Sequence, residues 1–85
     1  MNKGFVYILL SNKDKKSYVG STFDLAKRFQ EHSLGLVIST KNRRPLRIIY
    51  TEEYNTLSEA RKRESYLKTR QGRRELKQIF LKLKY

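Results

Sequence analysis

Phe5-Val6-Tyr7-Ile8-Leu9-Leu10, then Ser11-Asn12-Lys13-Asp14-Lys15-Lys16, then Ser17-Tyr18-Val19-Gly20-Ser21: these consecutive segments set the architecture. The first is apolar, aromatic and β-branched, with Gly4 before it and polar residues after it, the pattern of a strand buried on both faces. The second is turn chemistry. The third resumes strand character, and a hairpin is the economical connection between the two strands. Gly20 weakens the second strand, which marks a bulge or a place where something approaches the backbone closely. Tyr7 and Tyr18 stand mid-strand on either side of the turn, so their side chains are expected to share one face.

Beyond the hairpin, Asp24 or Thr22 caps a helix whose body is Leu25 to His32, with Gly35 as its C-terminal stop. Leu36 to Arg44 reads as a basic loop. Pro45-Leu46-Arg47-Ile48-Ile49-Tyr50-Thr51 reads as a third strand, with Pro at the first position, where a strand tolerates it. Thr56 and Glu59 have capping-box spacing and open a helix expected to run to about Arg70, with Gly72 breaking it. From Arg73 to Lys84, Leu76, Ile79, Phe80 and Leu83 recur at i, i+3, i+4 and i+7, a stripe that one helix face can bury. That stripe closes the core or forms a dimer contact, and the core is the favoured use. The order β-β-α-β-α-α predicts one α+β domain over residues 1–85, built on a three-stranded sheet.

Composition narrows the chemistry. With 85 residues the chain buries less than about 70% of its unfolded surface, so it depends on one small core. There are no cysteines, which excludes disulfides, thiolate zinc sites and cysteine nucleophiles and makes a reducing cytoplasm the expected compartment. No apolar run reaches the roughly 20 residues of a membrane span, and the N-terminus lacks the make-up of a signal peptide. Twenty Lys and Arg against eight Asp and Glu leave a net charge of +12. Residues 43–85 hold thirteen of the basic side chains and five of the acidic ones. So large an excess is useful beside a polyanion, and nucleic acid is the leading candidate, because neutralised phosphates release condensed counterions.

Some polar residues sit where core residues belong. At helical spacing Leu57, Ala60, Glu64 and Leu67 fall within about 80° of one another. Glu64 therefore lies in an apolar stripe, where a carboxylate needs a salt bridge or a metal. On the first helix Arg28 and His32 stand at i, i+4 beside the apolar Leu25 and Phe29. Two such neighbours do not stabilise a helix, and either a shared anion reconciles them or His32 faces solvent while Arg28 snorkels. His32 is the only histidine, which removes multi-histidine zinc sites. The four glycines are scattered and form no phosphate-cradling loop.

Taken in order, Phe5-Val6-Tyr7-Ile8-Leu9, Tyr18-Val19-Gly20-Ser21, Arg28 with His32, and Glu64 on a later helix resemble the GIY-YIG nuclease family. The resemblance covers about residues 4–70 and is strongest to the short stand-alone branch, which is related to the N-terminal nuclease domain of a bacterial excision-repair protein. It implies a three-stranded antiparallel sheet flanked by helices. It implies Tyr7 as general base or relay for the attacking water, Tyr18 as an orienting group, and Gly20 as a structural motif residue admitting close approach. It implies Arg28 on the scissile phosphate, His32 in positioning or proton transfer, and Glu64 as the sole protein ligand of one Mg²⁺ or Mn²⁺ ion. The chain departs from the pattern at Phe5, where the motif has glycine, and at Ser21, where some branches have lysine. It also has no asparagine after Asn55, although the family often has one beyond the metal-binding glutamate.

Outside the motifs, Lys41, Arg43, Arg44, Arg61, Lys68 and Arg70 are expected to track a phosphate backbone, with little sequence information in the contacts. Arg63 belongs to the same basic helix. The expected activity is metal-dependent endonucleolytic hydrolysis of nucleic acid, DNA favoured over RNA, with branched, nicked or single-stranded substrate preferred to a long recognition sequence. The alternative is a binding module on the same fold, catalytically idle or dependent on a protein partner.

Overall fold

The computed structural model describes residues 3–84. The first apolar run is strand β1 (Gly4–Ser11), and β2 (Ser17–Thr22) returns antiparallel beside it. Strand β3 (Leu46–Tyr54) pairs antiparallel with the other edge of β1, giving the order β2-β1-β3. β1 is therefore the central strand, which is why its sequence is apolar without alternation. Val6, Ile8 and Leu9 are all fully buried although they point to both faces. Each contributes on the order of 1.5–3 kcal/mol by leaving water.

One face of the sheet carries the core. Val6, Ile8 and Val19 pack there with Ala60 and Leu67 of helix α2 (Leu57–Leu67) and Leu76 of helix α3 (Arg70–Leu83), and Ile49, Ile79 and Phe80 lie against them. The C-terminal stripe is thus used for the core. The register slips between Ile8 and Leu9, so Tyr50 faces Ile8 while Ile48 faces Leu9. This bulge leaves Ile49 unpaired in the ladder and free to pack into the core. Helix α1 (Leu25–Ser33) is capped by Asp24, whose side chain accepts from the Lys27 N–H. It covers the opposite face, where His32 meets Tyr7.

Two boundaries differ from expectation. The third strand continues through Tyr54, because Glu52 is not a loop residue: its carboxylate accepts from the Tyr50 and Tyr54 hydroxyls and from Arg63 of α2. The second helix stops at Leu67, and Thr69 caps the next by accepting from the Gly72 N–H. Gly72 does not break a helix. It lies buried in the first turn of α3, where a Cβ would meet the Tyr66 carbonyl and Leu67 Cα, so the absence of a side chain lets α3 begin against the end of α2.

Candidate active site

Tyr7 lies opposite Gly20 in the β1–β2 register, and a Cβ on Gly20 would collide with the Tyr7 ring and hydroxyl. The close approach expected at Gly20 is thus made by a side chain of the protein itself. Tyr18 opposes Leu9, two positions along, so it shares the Tyr7 face, with ring centroids 6.4 Å apart. The last turn of α1 sets His32 edge-on to both rings, 5.6 Å from Tyr7 and 5.2 Å from Tyr18.

His32 is fully buried rather than solvent-facing. Its Nε2 lies 2.9 Å from Tyr7 Oη and its Nδ1 2.8 Å from Thr40 Oγ1. Burial, and then the positive charge of Arg28, push its pKa down to about 4, so the imidazole is neutral near pH 7. Neutrality, not a shared anion, is what reconciles it with Arg28. Thr40 is buried too, and His32 is the one partner of its hydroxyl among the described residues. The neutral ring carries one proton: on Nε2 it donates to Tyr7 Oη and Nδ1 accepts from Thr40, and on Nδ1 it donates to Thr40 Oγ1 and Nε2 accepts from Tyr7. In both forms an unbroken chain Thr40–His32–Tyr7 reaches the tyrosine oxygen.

Arg28 approaches the same oxygen. Its guanidinium pairs with Glu31 at 3.0 Å and lies beside the Tyr7 hydroxyl, and these neighbours, Tyr7 first, raise its own pKa. For Tyr7 burial is the largest influence and raises the phenol pKa, while Arg28 works in the lowering direction. The positive charge needed beside a tyrosine base is present, but it offsets burial only in part.

Glu64 reaches the site from the other side of the sheet. Ser21, opposite Val6, points to the core face, and its hydroxyl donates to one Glu64 oxygen, while Lys68 Nζ pairs with the other at 2.6 Å. The Glu64 side chain retains 23% of its exposure. It makes no hydrogen bond to the tyrosine–histidine cluster, yet its charge acts to raise the Tyr7 pKa, which places the two within electrostatic reach. The candidate residues thus straddle the free edge of β2, with Tyr7, Tyr18, Arg28 and His32 on one side and Glu64 on the other. Beside Arg28, a cleft of about 330 Å³ is lined by Ser21, Phe23, Asp24, Lys27, Arg28, Glu31 and Arg61 among others.

Not every basic residue is available to a ligand. Lys41, Arg44, Arg61 and Arg70 are exposed. Arg44 rests against the Lys41 and Ser33 carbonyls, and Lys68 is engaged by Glu64. Arg43 is half-buried, paired with Asp14 at 2.8 Å and pinned to the hairpin turn. Arg63 joins Glu52 and Glu75 in one network across β3, α2 and α3. These last two arginines are ion-paired within the fold. Sequence reasoning missed Thr40 as a partner of His32 and Ser21 as a partner of Glu64. In both cases the signal was a small hydroxyl residue in a basic loop or at a strand end, which is indistinguishable from ordinary turn chemistry.

Comparison with known proteins agrees with this fold. The GIY-YIG catalytic domain matches residues 3–77. A UPF0213 protein of Staphylococcus saprophyticus is 40% identical over 80 residues, covering 93% of this chain and 96% of its own length. One of Syntrophus aciditrophicus is 41% identical over 70 residues, covering 80% and 79%. The solution NMR structure of a UPF0213 protein from Bacillus halodurans superposes with a TM-score of 0.54 at 29% identity, covering 91% of this chain and 84% of that one. The order of the motifs, the sheet that carries them and a match over most of the chain lead to one conclusion: this protein belongs to the GIY-YIG catalytic domain family, a nuclease-type family.

Proposed function

We propose that the protein is a divalent-metal-dependent endonuclease that hydrolyses phosphodiester bonds in nucleic acid, DNA in preference to RNA. The observation that carries this reading is the buried Thr40–His32–Tyr7 chain ending beside Arg28 at the mouth of a cationic cleft. A phosphate entering there meets the Arg28 fork, which orients it and offsets negative charge developing in the transition state. With the ring proton on Nε2, His32 donates to Tyr7 Oη, and this bond and the neighbouring Arg28 charge favour the phenolate against the burial that opposes it, which suits Tyr7 to take the proton of the attacking water. Tyr18 walls the cluster and holds the His32 ring edge.

Glu64 suits an ion that keeps most of its shell as water and phosphate oxygen, since the described residues hold no group of three or more His, Cys, Asp or Glu able to bind a metal. Ser21 fixes one carboxylate oxygen, and the exposed Lys68 would have to leave the other for an ion to bind. One Mg²⁺ or Mn²⁺ held there would neutralise charge on the phosphate and its leaving oxygen. Lys68 on Glu64 also gives substance to a second reading, a nucleic-acid-binding module that is idle until a protein partner or substrate displaces the lysine. We assign the protein to the cytoplasm, since a cysteine-free chain needs no oxidising compartment. None of the helices is long and apolar enough to cross a membrane among the described residues.

The test is cleavage of labelled single-stranded, duplex and branched DNA and RNA with Mg²⁺ or Mn²⁺, with chelator and Glu64→Ala controls. Metal-dependent products lost in both controls support the nuclease. Binding across the panel without product supports the idle module.

A further inference from the structure

The cleft beside the candidate catalytic residues holds a side chain that neither the core nor the chemistry explains. Phe23, in the turn between β2 and α1, is 53% exposed and lines that cleft. Its neighbours there divide into two groups. Asp24 is occupied in capping α1, and Glu31 is neutralised by Arg28. Lys27 and Arg61 are exposed and carry no ion pair among the described residues. An exposed aromatic ring sharing a cleft with two uncommitted cations is the combination that holds a nucleotide: the ring takes the base, the cations take the flanking phosphates.

The cleft is also continuous with the candidate site. Its Ser21 wall bonds Glu64, and its Arg28 wall stands beside Tyr7. Phe23 lines the same cleft as Ser21 and Arg28, so a nucleotide whose phosphate reaches those walls has Phe23 within the same pocket. Resting on the nuclease reading above, we infer that Phe23, Lys27 and Arg61 form a nucleobase subsite that stacks one unpaired base next to the scissile phosphate. A base inside a continuous duplex has both faces covered by its neighbours and has none to offer Phe23. The subsite therefore selects single-stranded, gapped or branched nucleic acid, with little preference among bases because each presents a π-face.

The chain contains no tryptophan, so Phe23→Trp installs a unique fluorophore at an exposed position. It is combined with Glu64→Gln, so that no substrate is consumed, and titrated with a short single-stranded oligonucleotide and with the same sequence as duplex, in DNA and RNA forms. Stacking is expected to quench the emission with the single strand and to leave it nearly unchanged with the duplex. Phe23→Ala should weaken single-strand binding roughly tenfold or more and alter duplex binding less than about twofold. Unquenched emission while the single strand binds, or equal loss of both affinities in Phe23→Ala, overturns the subsite and leaves the nuclease reading standing. Failure of the wild-type protein to bind any of the four nucleic acids overturns both.

Discussion

Tyr7 is held by three contacts of different kinds: the space left by Gly20 above its ring, a ring nitrogen of His32 at 2.9 Å, and the Arg28 guanidinium. The proton arrangement on His32 depends on Thr40, and Thr40→Val tests it. With the ring proton on Nε2, losing the donor to Nδ1 frees that proton to move, and the Tyr7 anion loses a hydrogen bond of about 1–1.5 kcal/mol. The apparent pKa of the base in the cleavage pH profile should then rise by roughly one unit, with Thr40→Ser restoring it. Because His32 is the only histidine, ¹⁵N NMR reads its tautomer without ambiguity, and an Nδ1–H form in the wild-type protein would refute the Nε2–H donor to Tyr7 on which this expectation rests. The same ring predicts acid sensitivity. With a folded pKa of about 4 against 6.5, His32 binds fewer protons folded than unfolded between those values. Its contribution to stability, on the order of 3 kcal/mol, is whole above pH 6.5 and is lost as the pH falls towards 4. NMR titration giving a His32 pKa near 6.5 would contradict this. Tyr7, Tyr18, Gly20 and Glu64 were legible in the sequence because strand alternation and helical spacing place them. Thr40 was not, since its contact with His32 exists only after the loop closes on α1.

Elements were legible where their ends are written locally and misread where they depend on tertiary partners. Asp24 and Thr56 cap α1 and α2 as the sequence indicated. The end of α2 was misplaced because Gly72 looks like a stop, whereas its role is close packing. Nothing within the local sequence distinguishes a glycine that ends a helix from one that lets another chain segment touch it. Gly72→Ala should therefore lower stability by about 1–3 kcal/mol, the cost of forcing a methyl group against the Tyr66 carbonyl and the Leu67 backbone. Thermal unfolding measures it, and an unchanged or raised midpoint would mean that α3 shifts freely against α2. β3 was cut short for a related reason. Glu52 looks like the start of a loop until Tyr50, Tyr54 and Arg63 surround it.

Across the whole molecule the charge of +12 is divided between two uses. Arg43 and Arg63 hold the fold together, while Lys41, Arg61 and Arg70 remain at the surface for a polyanion. Nucleic-acid binding should weaken steeply with salt, and Arg61→Ala should reduce the slope of log K against log [salt] by about one. Arg63→Ala should act through stability instead and leave that slope unchanged; the converse result would reverse the division. The proposed nuclease stands or falls on the metal-dependent cleavage rate of Glu64→Gln, with nucleic-acid affinity measured on the same preparation. The expected rate is at least about 100-fold below wild type, with affinity nearly unchanged. Cleavage at the wild-type rate, with the same metal requirement, would contradict the assignment of Glu64 and the chemistry built on it.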